Sequence, residues 1–179
     1  MYQTALLQSR FIKNSVLQQS ALCFFAVLFL ALASHLVIPL QPVPLTFQSA
    51  AVIFVGMTLG PRLAGITLIT YLIAGISGLP VFATGTSFGP TAGYLIGFLP
   101  AALLSGWLAQ KGMAKNISFS FITSLLGAAV IFACGLPVLA RFIGWHAAIA
   151  SGLIPFMITE PLKLLAISLV IPRLWRPAA

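Results

Sequence analysis

A single acidic side chain stands in an apolar stretch near the end of the chain, IPFMITEPLKLLAISLVIP (154–172). Glu160 is the only acidic residue in the sequence, and Lys163 follows it three positions later. On a helix this spacing places both charged groups on one face, where each can neutralise the other. Such a pair could bind a small ligand, because the carboxylate accepts N–H groups and the ammonium group attracts an anion. The alternative is a purely structural ion pair.

The surroundings of this pair indicate a membrane protein. The chain is 60% hydrophobic and only 6% charged, whereas a soluble domain carries about 25% charged residues. An ionised side chain at the centre of a bilayer costs about 2.5–3.5 kcal/mol on insertion scales. Replacing a buried ion pair with apolar residues is often neutral or stabilising, so stability alone explains such a pair poorly. We therefore favour a functional role for Glu160 and Lys163.

Apolar segments of helical length fill most of the sequence and predict an all-α membrane domain with six transmembrane helices over 16–171. The terminal segments 1–15 and 172–179 are expected to lie outside the bilayer. An alternative for the N-terminus is a cleaved signal peptide ending at ALA (31–33), but the apolar run resumes after His35 and favours an uncleaved first helix. The predicted helical segments are 16–38, 46–59, 62–77, 92–110, 118–138 and 150–171.

The second and third segments are short for membrane helices. A helix of about 15 residues rises only about 22 Å, less than the thickness of a typical hydrocarbon core. The sequence GPR (60–62) separates them and predicts a tight turn. We expect these two helices to be partly interfacial or to line a cavity.

Basic residues mark the ends of the apolar segments and predict the orientation. If both termini share one side of the membrane, only Arg141 falls on the other side, and the positive-inside rule places both termini in the cytoplasm. Because the cations are scattered and not gathered into a face, no nucleic-acid partner is expected. The cations on the shared side are Arg10, Lys13, Arg62, Lys111, Lys115, Arg173 and Arg176.

Two loops on the opposite side keep apolar and aromatic side chains. They are IPLQPVPLTFQ (38–48) and GISGLPVFATGTSFGPTAGY (75–94), in which proline and glycine end the helices. Loops that only connect helices are usually short and polar. These loops therefore predict a folded lid over a ligand cavity, with a packed cap that binds nothing as the alternative.

Small residues at every fourth position predict close helix packing within the chain. A shorter version of this pattern is the Gly56-x-x-x-Gly60 motif. The longer series is Gly89, Gly93, Gly97, Ala101, Ser105 and Ala109.

The motifs of an enzyme or an ATPase are not found in the sequence. There is no G-x-x-x-x-G-K-[ST] phosphate loop and no G-x-S-x-G nucleophile motif. The two histidines and two cysteines have no metal-ligand spacing, so neither a metal nor a cofactor is expected. An intramembrane enzyme with Glu160 as general base would lack a visible nucleophile, and a scaffold role is the other alternative. With one acid, self-powered transport is not expected.

Four stretches, in this order along the chain, resemble the motif blocks of the BioY family. They are VPLTFQ (43–48), GLPVFATG (78–85), GPTAGYLIGF (89–98) and PFMITEPLK (155–163). This family comprises the biotin-specific substrate-binding components of energy-coupling-factor transporters. Its usual block before the last helix is P-G-D-x-x-K, so Glu160 stands here for the aspartate and Lys163 matches the lysine.

The resemblance implies that the chain captures biotin from outside and moves it inward. It implies a pocket near the outer face, with a transmembrane coupling protein and two ATPases as partners. Lys163 would meet the carboxylate of biotin and Glu160 its ureido N–H groups, with the reverse assignment left open. Another small vitamin as ligand and a homo-oligomeric state also stay open. The further implied pocket residues are Phe47, Phe82 and Tyr94 for the apolar body, with Gln48, Thr84 and Gly85 beside them.

Overall fold

The computed structural model describes residues 16–83 and 89–175. These residues form a helical bundle with two very short strands in one loop, so the predicted all-α fold is confirmed. The helices are α1 (Val16–His35), α2 (Gln48–Ile76), α3 (Ala92–Leu108), α4 (Ile117–Ile143), α5 (Trp145–Gly152) and α6 (Phe156–Trp175), with a π-helical turn at Ala109–Met113 and strands β1 (Val37–Ile38) and β2 (Leu45–Thr46). Four helical stretches among the described residues are long and apolar enough to cross a membrane, or five if α5 and α6 form one bent span.

Helix α2 folds back on itself at Gly60. This residue has φ 73° and ψ 170°, which glycine adopts readily, and Pro61 follows it without a backbone N–H. Gln48 and Tyr71 would lie about 35 Å apart on a straight helix, yet their side chains are hydrogen-bonded at 2.5 Å. The halves 48–59 and 61–76 therefore run antiparallel. The two short helices predicted around the GPR turn are confirmed.

Both ends of the described bundle lie on the side of the Gly60 turn. Cys23, in the second turn of α1, approaches the carbonyl oxygen of Leu63 at 3.9 Å. At the end of α6, the indole N–H of Trp175 donates to the carbonyl oxygen of Met57 at 3.2 Å. We call this side the Gly60 end of the bundle.

The opposite side carries the two loops that were predicted to be folded. There Ser34, at the end of α1, donates to the carbonyl oxygen of Val81 at 2.7 Å. Glu160 in α6 accepts a hydrogen bond from Ser49 in the first turn of α2. We call this side the Glu160 end.

The series of small residues on α3 packs inside the molecule, as predicted. A Cβ atom added at Gly93 would lie 2.6 Å from the carbonyl oxygen of Cys134 in α4. One added at Gly56 in α2 would lie 2.6 Å from the carbonyl oxygen of Ala102. Helices α2, α3 and α4 approach this closely only because side chains are missing at these contacts.

The prediction for the last segment is wrong at its start. The sequence predicts one helix over 150–171, whereas the structure has α5 and α6, bent by 41° at a short break. Gly144, with φ 79°, ends α4 and begins α5. Pro155 precedes α6, where its missing N–H costs nothing. The break turns α6 back into the bundle and brings Glu160 next to the start of α2, at the end of the bundle that carries the two loops.

Candidate functional site

Glu160 and Lys163 form a salt bridge within α6, as their spacing predicts. Both side chains are largely shielded, with 6% of the Glu160 side chain and 10% of the Lys163 side chain exposed. The charged pair is therefore removed from both bulk water and lipid. Its remaining hydrogen bonds must come from neighbouring elements of the protein.

The first turn of α2 supplies those hydrogen bonds. The hydroxyl of Ser49 donates to the Glu160 carboxylate, with Oγ 2.8 Å from Oε1 and 3.0 Å from Oε2. The same Oγ accepts a hydrogen bond from Lys163 Nζ at 3.1 Å. Ser49 was not predicted from the sequence, because it is one of several hydroxyl-bearing residues in α2 and nothing local distinguishes it from Thr58 or Thr67.

The ammonium group of Lys163 has all three of its hydrogens engaged. It donates to the backbone carbonyl oxygen of Thr46 at 2.8 Å, to Ser49 Oγ and to Glu160 Oε1. The carboxylate is less occupied, because among the described residues Oε2 accepts only from Ser49. The pair can therefore accept a further N–H group without losing a contact. It can bind an anion only if Lys163 releases one partner.

The first of the two loops at the Glu160 end, 38–48, contains a short β-hairpin that leads directly into α2. Val37 pairs with Thr46 and Ile38 with Leu45 in antiparallel register. The amide of Phe47 then donates to the carbonyl oxygen of Leu36 at 3.2 Å. This pairing fixes where α2 begins and so presents residues 46, 48 and 49 to the interior.

A cavity of about 50 Å³ lies between this loop, the start of the loop 75–94 and the start of α3. The sequence predicted that these two loops cover a cavity, and the structure brings Gln48 and Phe82 together in its wall. Thr46 also lines it, and the carbonyl oxygen of Thr46 accepts from Lys163. The lining residues are Val43, Pro44, Thr46, Gln48, Phe82, Ala83, Thr91 and Leu95.

Tyr71 connects the wall of this cavity to the start of the second loop at the Glu160 end, at Val81. Its hydroxyl accepts from Gln48 Nε2 at 2.5 Å and donates to the carbonyl oxygen of Val81 at 2.6 Å. Its ring packs edge-on against Phe82, with the ring centroids 5.3 Å apart. A Cβ atom at Gly75 would lie 2.6 Å from Phe82 Cε1, so this glycine leaves space for the ring.

The end of α1 holds the same loop from the other side. Ser34 donates to the carbonyl oxygen of Val81 at 2.7 Å, and His35 Nε2 lies 2.9 Å from the carbonyl oxygen of Pro80. Side chains from α1 and α2 therefore hold residues 80–81, which precede Phe82, through contacts to their backbone carbonyl oxygens.

Two of the predicted pocket residues lie elsewhere. Phe47 lines a separate apolar groove of about 320 Å³ with Phe29, Phe54 and residues of α6. Tyr94 packs on Gly135, and its hydroxyl donates to the carbonyl oxygen of Gly152 at 3.0 Å. Neither residue lines the cavity beside Gln48. Thr84 and Gly85 lie outside the described residues.

Comparison with known proteins identifies relatives over nearly the whole chain. A model of the BioY family matches residues 5–179. The chain is 36% identical to a probable biotin transporter BioY of Pyrococcus horikoshii, over 82% of this chain and 91% of the relative. It is 32% identical to the biotin transporter BioY2 of Lactococcus lactis, over 88% of this chain and 90% of the relative.

The fold also resembles a solved structure. The crystal structure of the S-component for biotin from an ECF-type ABC transporter superposes with a TM-score of 0.82 at 25% identity. The superposition covers 94% of this chain and 96% of that chain. Together with the match of the family model, this agreement shows that the chain belongs to the BioY family.

Proposed function

We propose that this protein captures biotin at the Glu160 end and carries it across the cytoplasmic membrane as the substrate-binding component of a vitamin transporter. The observation that carries the proposal is the buried Glu160–Lys163 pair beneath two folded outer loops, beside the cavity lined by Gln48 and Phe82. An ionisable pair within a membrane-spanning helix marks a functional site by default. Because the chain belongs to the BioY family, we infer that the ligand is biotin.

The free hydrogen-bonding capacity of the pair supports one assignment of the two ends of the ligand, with Glu160 at the ureido group and Lys163 at the carboxylate. Glu160 Oε2 can accept a hydrogen bond from a ureido N–H group without losing its hydrogen bond from Ser49. Lys163 meets the carboxylate of biotin by exchanging one of its three partners, most simply Glu160, which the ligand's own N–H group then satisfies. Phe82, Val43 and Leu95 offer apolar surface to the ring and chain of the ligand.

The volume of the cavity implies movement during capture. Its volume of about 50 Å³ is well below the range of about 300–1,000 Å³ that is usual for ligand pockets. The first outer loop and the start of the second must therefore separate when biotin enters. The β-hairpin at 37–46 is short enough to move as one piece, with α2 as its base.

The charges at the two ends support an orientation in the membrane. Arg62, Lys111, Lys115 and Arg173 belong to the Gly60 end, where the last turn of α3 packs on the Gly60–Pro61 turn. Arg141 lies in the last turn of α4, at the Glu160 end. By the positive-inside rule, this distribution favours a cytoplasmic Gly60 end and a cavity that faces outside. Energy for uptake would come from a transmembrane coupling protein and ATPases, because the chain has no phosphate loop.

Titration of the detergent-solubilised protein with biotin tests this proposal. We expect saturable binding at one site without ATP, and no binding of thiamine or riboflavin under the same conditions. Absence of biotin binding by folded protein, or equal binding of the control vitamins, would contradict it.

A further inference from the structure

The hydroxyl hydrogen of Tyr71 has a defined position. Its oxygen lies 2.6 Å from the carbonyl oxygen of Val81. Two oxygen atoms at this distance need a hydrogen between them, and a carbonyl group has none to give. The single hydrogen of the phenol is therefore committed to Val81.

The orientation of the Gln48 amide follows from this. Gln48 approaches the same phenol oxygen at 2.5 Å. Since the hydrogen of Tyr71 points to Val81, its oxygen can act only as an acceptor toward Gln48. The amide must present its NH₂ group to Tyr71, which leaves its carbonyl oxygen on the opposite edge of the amide group, pointing away from Tyr71.

The surroundings keep this arrangement in place. Tyr71 is fully buried, and its ring is held against Phe82 over Gly75. The carbonyl group of Val81 is held in addition by Ser34. Rotation of the amide by 180° would place the Gln48 carbonyl oxygen against the Tyr71 oxygen with no hydrogen between them, at the cost of an unpaired buried group.

We propose that Tyr71 is a positioning residue that fixes the polarity of Gln48, so that this wall of the cavity offers a hydrogen-bond acceptor and selects a ligand N–H group. The assignment rests on the proposed function and deepens it. Tyr71 itself need not touch the ligand. A ring that carries oxygen in place of the N–H group would face the Gln48 carbonyl oxygen and be rejected.

The test uses biotin and its two cyclic carbamate isomers, in each of which a ring oxygen replaces one ureido N–H group. Calorimetric titration of the wild-type protein should show that at least one isomer binds about tenfold more weakly than biotin, or worse. In Tyr71→Phe the amide of Gln48 is free to turn and to donate its NH₂ group to the ring oxygen. For the isomer whose ring oxygen faces Gln48, the rejection should then fall to about threefold or less, whereas the isomer whose ring oxygen faces Glu160 should stay rejected.

Two further variants separate positioning from general destabilisation. Ser168→Ala removes another fully buried hydroxyl, one that donates only within α6 to the carbonyl oxygen of Leu164 at 2.6 Å. The Ser168→Ala variant should reject the carbamate isomers as strongly as the wild-type protein does. Gln48→Met should lose the rejection of the isomer whose ring oxygen faces Gln48, and adding Tyr71→Phe to Gln48→Met should change the ratio no further, because Tyr71 acts through Gln48.

The outcomes are distinct. If wild-type protein binds biotin but rejects neither isomer, the assignment is overturned whether or not Tyr71→Phe folds. Unchanged rejection in folded Tyr71→Phe, or an equal loss in Ser168→Ala, also overturns it. If the wild-type protein binds no biotin, the proposed function itself has failed.

Discussion

Two polar networks lie at the Glu160 end of this protein, and they differ in charge and in the arrangement of their hydrogen bonds. The network around Glu160 and Lys163 is charged, and its one ammonium group already has three partners. The network around Gln48 and Tyr71 is neutral, and each hydrogen in it has a fixed direction. Under the proposed function, the charged network exchanges partners when the ligand arrives and provides attraction. The neutral network is ready before binding and provides selection.

Among the single substitutions, the largest effect is expected from Lys163→Ala, which leaves the carboxylate of Glu160 buried without its countercharge. Loss of a charge-assisted contact to the ligand costs about 1.5–3 kcal/mol, so the affinity for biotin should fall by roughly ten- to a hundredfold. Removal of one partner of a buried pair should also lower the melting temperature. Titration and thermal unfolding check both effects. Wild-type affinity would contradict the role of Lys163.

A graded loss is expected at Glu160. Glu160→Gln keeps one acceptor oxygen for a ureido N–H group, whereas Glu160→Ala keeps none. Biotin affinity should therefore fall less in the glutamine variant than in the alanine variant. Equal losses measured by titration would show that the acceptor is not used.

A smaller effect is expected from Ser49→Ala. The hydroxyl that bridges carboxylate and ammonium is lost, but the two charges keep each other. We expect about a tenfold loss of affinity, in the range of one hydrogen bond to a charged group. Ser168→Ala is the matched control, since its hydroxyl lies in α6 but bonds only to its own helix. Similar losses in both variants would remove Ser49 from the site.

The smallest effect is expected from Phe47→Ala. The side chain lines the groove with Phe29 and Phe54, not the cavity beside Gln48. Biotin affinity should change by less than about threefold, although some stability is lost with the buried apolar surface. A loss as large as that of Ser49→Ala would place Phe47 against the ligand, as the family resemblance implies.

The sequence predicted the features that depend on neighbours along the chain. The spacing of Glu160 and Lys163 predicted their salt bridge, and the glycine and proline at 60–61 predicted the turn within α2. The repeat of small residues gave the close packing of α3. Each of these signals is contained within a single helix or a single turn.

The features that the sequence missed depend on residues far apart along the chain. Ser49 meets Glu160 across 111 positions, and Gln48 meets Tyr71 across 23. Serine or tyrosine in an apolar helix is common, and no local pattern states which partner it will find once the chain folds back. The break before α6 was also missed: Gly152 and Pro155 flank it, but the apolar run continues on both sides and was read as one helix.

The central claim is that the charged pair binds the ligand and does not merely hold the helices together. Calorimetric titration of purified Glu160→Leu/Lys163→Leu with biotin tests it most directly, because apolar replacement of both partners removes the buried charges without leaving either one unpaired. We expect the double variant to fold, with a melting temperature near that of the wild type, and to show no measurable biotin binding. A folded double variant that binds biotin with wild-type affinity would contradict it.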